Sequence, residues 1–90
     1  MIRRIEKALI EIGSKAEPAL TKLLADQDGD VRNHAAKALA EIGPEAVPDL
    51  IQHLGYVANK AGYNAAMALG KIGPEAKDAI PGLIQLLEDI

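Results

Sequence analysis

The chain has 90 residues, a formal net charge of −3 and no cysteine. This length suits one small domain, and the missing thiols exclude disulfides and thiolate metal sites. Residues 1–25 carry five Lys or Arg against three acids, whereas residues 26–90 carry five against ten. Neither part has the clustered basic stripe that DNA binding requires, so we expect no nucleic-acid partner.

The sequence contains no run of eighteen apolar residues and no signal-peptide pattern. A membrane-spanning helix needs about 20 such residues, and a secretory signal needs a shorter apolar segment after its basic start. We therefore expect a cytoplasmic protein without a membrane partner.

The phrases ALIEIG (8–13), ALAEIG (38–43) and ALGKIG (68–73) recur at intervals of thirty residues. A unit of this length is too short to bury its own apolar face, so copies must stack on one another. The repeat predicts one domain, 1–90, built from units 1–30, 31–60 and 61–90.

The first helix of each unit is predicted by apolar residues at spacings of four, four and three, which suit an α-helix and not a strand. These stripes are Met1, Ile5, Leu9 and Ile12, then Val31, Ala35, Leu39 and Ile42, then Ala61, Ala65, Leu69 and Ile72. The predicted spans are 2–12, 31–42 and 61–72. Glycine ends each helix because it adopts the left-handed conformation without steric cost.

A further column of the first helices holds Ala8, Ala38 and Ala68, where small side chains allow a neighbouring helix to approach closely. Glu6 stands where the later units have Ala36 and Ala66. We expect the first unit to turn this charge outward, as in a repeat with nothing stacked before it.

The second helices are predicted at 17–25, 46–55 and 81–89. Pro18 and Pro48 fall in an opening turn, where a missing N–H costs little. The apolar stripes are Leu20, Leu23 and Leu24 in the first unit and Leu50, Ile51 and Leu54 in the second. Asp28 or Asp30 is the predicted N-cap of the first helix of the second unit.

The third unit shifts by three residues, since PGLIQLL at 81–87 matches PDLIQHL at 48–54 with an offset of 33. We expect Pro81 to push Ile80 out of the α region. Residues 74–79 should then form a separate short turn before the last helix.

These columns resemble the HEAT repeat family, and in particular its short bacterial and archaeal repeats of the phycobilin lyase type. The resemblance is carried by Asp28, Asp30, Val31 and Arg32, by AAKALAEIGPEAVPDLI at 35–51, and by AAMALGKIGPEAKDAIPGLI at 65–84. It implies an all-α fold, a right-handed solenoid of three antiparallel hairpins with about six helices. It also implies first helices on the convex side and second helices on the concave side.

The second junction departs from the repeat pattern. Asp26, Asp28, Asp30 and Arg32 are replaced there by Tyr56, Ala58, Lys60 and Gly62. Two interpretations remain open: a degenerate turn on which Tyr56 and Tyr63 pack their rings, or a binding patch, since tyrosine is favoured at interfaces.

Other chemistry is weakly represented. His34 and His53 lie nineteen residues apart without nearby ligands in the pattern of a metal site. Asp26, Asp28 and Asp30 begin like a calcium loop, but no glutamate occupies the twelfth position. Phosphate-binding loops and nucleophile motifs are missing from the sequence. We therefore expect no catalytic residue, no metal and no cofactor.

The favoured function is a non-catalytic scaffold that binds another protein on the concave face. The alternative is a component of a phycobilin lyase type assembly that attaches a chromophore. A homo-oligomer or a longer repeat array would also suit so short a solenoid. Stepping along the second helices gives Lys22, Gln52 and Gln85 in one column, with Asp49 before it and Tyr56 after it. With His53 beside Gln52, these are the candidate contact residues.

Overall fold

The computed structural model describes residues 2–54 and 60–88, and every regular element in these two ranges is helical. The α-helices are α1 (Ile2–Ile12), α2 (Glu17–Leu23), α3 (Gly29–Ile42), α4 (Val47–Leu54), α5 (Lys60–Ile72) and α6 (Ile80–Glu88). We call α1, α3 and α5 the first layer and α2, α4 and α6 the second layer. The predicted spans agree with these bounds to within two residues at each end.

The start of α3 is fixed by Asp28, whose backbone is extended at φ −84° and ψ 120°. Its Oδ1 accepts a hydrogen bond from the amide of Asp30 at 2.8 Å. Asp28 is therefore the N-cap, one of the two residues predicted for that role. Asp30 lies in the first turn, where its charge suits the helix dipole.

The repeated glycines end the first-layer helices as predicted. Gly13, Gly43 and Gly73 have φ values of 74°, 94° and 83°, in the region that side chains rarely adopt. The amide of Gly43 donates to the carbonyl of Leu39 at 3.1 Å, which completes the last turn of α3.

Short 3₁₀ segments join the two helices of each unit, at Gly13–Ala16, Pro44–Ala46 and Gly73–Ala79. The third is the longest and takes up the three extra residues, as predicted. The expected cause is wrong, because Ile80 lies in the α region at φ −54° and ψ −48°, and the break falls at Ala76 with φ −94° and ψ 20°. Proline disfavours α geometry in the residue before it without forbidding it, and its missing N–H falls among donors that a helix start leaves unpaired.

The layers pack so that each later unit rests on both helices of the unit before it. Helix α3 contacts α1 and α2, helix α5 contacts α3 and α4, and α4 also contacts α6. The largest fully buried side chains are Leu20, Leu24, Leu39, Leu50 and Leu69. Alanines complete this core and allow the helices to approach closely, among them Ala35, Ala36, Ala38, Ala65 and Ala68.

Helix α1 differs from the helices that repeat it. Ala38 and Ala68 are fully buried, whereas Ala8 is exposed, so the alanine column does not mediate close packing in the first unit. No described element packs over Ala8, and this explains the difference.

The expectation that Glu6 faces outward is also wrong. Its Oε2 lies 2.9 Å from Nδ1 of His34 on α3, and its side chain is only 18 % exposed. The polar partner on α3 draws the carboxylate into the contact between the two helices.

None of the described helices combines the length and apolar character needed to cross a lipid bilayer.

Candidate protein-interaction surfaces

Five of the six contact residues predicted from the sequence lie on the second layer. Lys22 on α2, Gln52 on α4 and Gln85 on α6 are exposed and occupy equivalent positions of their units. The structure thus places one exposed polar side chain per unit along this layer, and we call these three residues the polar column. Tyr56, the aromatic candidate, lies outside the described residues.

Asp49 and His53 lie beside the polar column on α4, and both are half-buried. Nδ1 of His53 is 2.9 Å from the backbone carbonyl oxygen of Asp49, one helical turn earlier. A carbonyl only accepts, so Nδ1 carries the proton and donates it. The bond holds the imidazole along its own helix and directs Nε2 away from it.

Glu17 is a residue that the sequence reasoning missed. It begins α2, is only 9 % exposed, and has a buried Oε1 without a hydrogen-bond partner. Burial raises the pKa of Glu17, and the negative charges of Asp49 and Glu45 raise it further. A sequence signal for its burial exists, because the equivalent residues of the other units are the apolar Val47 and Ile80.

Tyr63 lies in the first turn of α5 and is 48 % exposed. About half of the surface of this residue therefore remains accessible. The two interpretations of this junction, a degenerate turn or a binding patch, also involve Tyr56, which lies outside the described residues.

An apolar groove of about 330 Å³ lies between α1, α2 and α3. We call it the first-unit groove. Its apolar lining comes from Ile5, Leu9, Leu20, Leu23, Val31, Ala35 and Ala38, with Glu6, Asp28, Asp30 and His34 at its polar positions. The sequence predicted Leu23 as part of the apolar stripe of this second helix, and it is 37 % exposed at the groove.

A second groove, of about 650 Å³, lies between α1 and α3 and is lined mainly by charged side chains. They are Arg3, Glu6, Lys7, Glu11, His34, Lys37 and Glu41, with Ile10 as the apolar member. Cations and anions alternate along it, and the Glu6–His34 contact crosses it. This mixture is typical of a solvated helix surface and favours no single class of ligand.

A family model for HEAT repeats matches residues 3–60 and 17–89 of the chain. The two matches overlap and together span nearly the whole sequence. The chain belongs to the HEAT repeat family. No curated protein and no solved structure gives a significant match.

In this HEAT chain the acidic turn of the first junction has a structural use. Nη1 of Arg32 donates to the carbonyls of Asp26 and Gln27, at 2.6 and 3.1 Å. Nε of the same guanidinium donates to Oδ1 of Asn64 on α5 at 3.2 Å. Arg32 therefore closes the junction and also joins α3 to α5.

The carboxylates of this turn are similarly occupied. Oδ1 of Asp26 accepts from the amide of Asp28 at 2.8 Å, in addition to the cap that Asp28 forms. Among the described residues, the structure contains no group of three or more His, Asp or Glu side chains placed to hold a metal ion.

Proposed function

We propose that this HEAT chain is a non-catalytic scaffold that binds another protein along its second layer. The observation that carries the proposal is the polar column, in which Lys22, Gln52 and Gln85 are exposed at equivalent positions of successive units. HEAT repeats are commonly protein-interaction scaffolds, which supports the proposal.

The proposed architecture is a right-handed solenoid of three stacked hairpins, with six helices and the second layer on its concave side. On that side, side chains one repeat apart can contact the same partner. The middle unit has neighbours on both sides, so a partner can bury the largest area there. Asp49, Gln52, His53 and Tyr56 form the proposed centre, with Lys22 and Gln85 toward the two rims.

Site-specific photo-crosslinking tests which layer is used. A photoreactive amino acid at Gln52 is expected to capture the partner in native-host extract, and one at Gln85 should capture the same protein. The matched control is Lys37, which is exposed on the first-layer helix α3. Capture from Lys37 and not from Gln52 would place the interface on the first layer and overturn the proposal.

The identified partner then allows affinities to be compared. Tyr56→Ala should weaken binding by about 2 kcal/mol or more, because a central aromatic anchor contributes most to an interface. Lys22→Ala should change the affinity far less and act mainly on the association rate. Unchanged affinity for a folded Tyr56→Ala variant would show that Tyr56 is not the anchor.

The proposal includes cytoplasmic location and the absence of catalysis. Both described grooves are open to solvent, and neither offers the deep polar cavity that a bilin needs. Incubation with a bilin should therefore leave its absorbance spectrum unchanged. A stable spectral shift with retained pigment would favour the chromophore-attachment assembly instead.

A further inference from the structure

One face of α6 is apolar and exposed. Ile80, Ile84 and Leu87 follow one another at spacings of four and three, so they lie on one stripe of the helix. Ile80 and Ile84 are each 53 % exposed and Leu87 is 72 % exposed. We call these three residues the terminal stripe.

The same stripe is covered in the other two units. Leu87 corresponds to Leu24 and Leu54, which are 0 % and 3 % exposed. In those units the next first-layer helix packs on the second helix, α3 on α2 and α5 on α4. The equivalents of Ile80 are Glu17 and Val47, and both are buried. The equivalents of Ile84 are Thr21, which is buried, and Ile51, which is partly buried. The terminal stripe is thus the surface to which a further first-layer helix would bind.

The opposite end of the molecule presents the complementary surface. Ile5, Leu9 and Ile12 form a stripe on α1, and we call them the leading stripe. Ile5 is 54 % exposed and Ile12 is 58 % exposed. The equivalents of Ile5 in α3 and α5, Ala35 and Ala65, are 3 % and 0 % exposed. Those helices have a preceding unit packed against them, whereas no described element covers α1 in this way.

The first-unit groove adjoins the leading stripe, because Ile5 and Leu9 belong to both. The first-unit groove is therefore an apolar recess beside α1. No described side chain of this chain fills it. A leucine such as Leu87, arriving on a helix packed across α1, has an apolar site to enter.

The charges at the two ends have opposite bias. Arg3, Arg4 and Lys7 are exposed on α1, against the acids Glu6 and Glu11. Around α6, the exposed acids Glu75, Asp78 and Glu88 outnumber the single cation Lys77. Contact between unlike ends therefore brings opposite charges together, whereas contact between two like ends brings like charges together.

We propose that a second copy of this chain binds head to tail, its α6 packing on α1 as α2 packs on α3. The surface is distinct from the polar column, so the proposal is independent of the scaffold function. Such an interface uses a different patch on each partner, and each copy retains one free end. Association therefore continues beyond two copies unless the geometry closes a ring.

Analytical ultracentrifugation of the 90-residue chain across micromolar to millimolar concentrations tests this association. The weight-average mass should rise with concentration beyond that of a dimer, unless a ring fixes it. Variants Ile5→Asp and Leu87→Asp each block one end, and both positions are exposed enough for the fold to tolerate the charge. Each variant alone should keep the monomer mass, because the surface that its intact end would bind is blocked on every other copy.

Each variant keeps one intact end, α6 in Ile5→Asp and α1 in Leu87→Asp, so a mixture of the two variants tests whether unlike ends pair. In a single-variant solution every contact would need the blocked face, whereas a one-to-one mixture can join the intact α6 of Ile5→Asp to the intact α1 of Leu87→Asp. The mixture should therefore form a dimer of twice the monomer mass. A dimer in the mixture, together with monomers in each single-variant solution, would show that the contact joins unlike ends.

Controls place the same charge elsewhere. Lys15→Asp and Asn33→Asp change residues that are exposed and whose equivalents are exposed in the other units. Both variants should associate as the parent does, and circular dichroism should show that all variants remain helical. A parent chain that stays monomeric throughout, or a mixture that stays monomeric, overturns the proposal. Dimers of Ile5→Asp or of Leu87→Asp alone would overturn it too, because they would show contact between like ends.

Discussion

The first and second units share the same sequence phrase but not the same surroundings. Leu39 of the second unit is fully buried, whereas its equivalent Leu9 is only partly buried. The difference in burial comes from the neighbouring helices, since α3 packs on α1, α2 and α5, while α1 packs mainly on α3. The comparison shows that a repeat pattern specifies a helix and its apolar face, whereas the adjacent units determine how much of that face is buried.

Truncation of the equivalent leucines should have the largest effect. Leu39→Ala should lower the free energy of unfolding by about 2 to 5 kcal/mol, because it leaves a cavity in the core. Leu9→Ala should cost less than about 2 kcal/mol, because part of that side chain is already in water. Urea denaturation measures both, and equal losses would show that the two units are buried alike.

Enlargement of the alanine column tests the same contrast with a smaller effect. Ala38→Leu should cost about 1 to 3 kcal/mol through overpacking, and Ala8→Leu should stay within about 0.5 kcal/mol of the parent. Thermal melting at a dilute concentration, where end-to-end contacts are absent, compares them. A destabilised Ala8→Leu variant would mean that α1 is covered after all.

Glu17 gives a contrast in the second layer, since the second unit has Val47 at this position. Glu17→Val should raise the free energy of unfolding at neutral pH by about 1 kcal/mol, because it removes a buried oxygen without a partner. The control Glu17→Gln removes the charge and keeps the shape. A lower stability of Glu17→Val at neutral pH would show that the carboxylate has a stabilising partner.

The pH dependence of that gain follows from the raised pKa of Glu17. The folded chain holds the proton more tightly than the unfolded chain does. The resulting stabilisation is complete below the pKa of the unfolded carboxyl and is lost as the pH rises through the folded pKa. The advantage of Glu17→Val over the parent should therefore shrink on acidification from neutral pH, and denaturation at several pH values measures it.

The contact between Glu6 and His34 should have the smallest effect. A double-mutant cycle with Glu6→Ala and His34→Ala should give a coupling of about 0.2 to 1 kcal/mol, because the pair is partly solvated. A salt titration of the same cycle separates charge from packing. Zero coupling at low salt would show that the contact contributes nothing to the position of α1.

The helices were predictable from the sequence because their signals are local. Apolar spacing, the left-handed glycines and the prolines of the opening turns each act within a few residues. The errors in detail have two origins. The direction of Glu6 and the exposure of Ala8 and Leu23 depend on tertiary contacts, and the partner of Glu6 is twenty-eight residues away. The conformation of Ile80 has a local cause, because proline disfavours α geometry in the residue before it without forbidding it.

The candidate surfaces were less predictable. The exposure of Lys22, Gln52 and Gln85 followed from the helical period. The first-unit groove did not, because three separate helices form it. Glu17 could have been identified by comparing the units, since it is an acid at a position where the other units have the apolar residues Val47 and Ile80.

The burial of Leu24 and Leu54 has a consequence for folding. Each leucine belongs to one unit by sequence, but the first helix of the next unit excludes water from it. A single unit is therefore incomplete as a cooperative folding element, and stability resides largely in the interfaces between units. Amide protons should exchange with solvent most slowly in α3, which is enclosed on both sides, and faster toward α1 and α6. Any helix pair fused after α6 would need a small residue such as Ala35 in its first helix to accommodate Leu87.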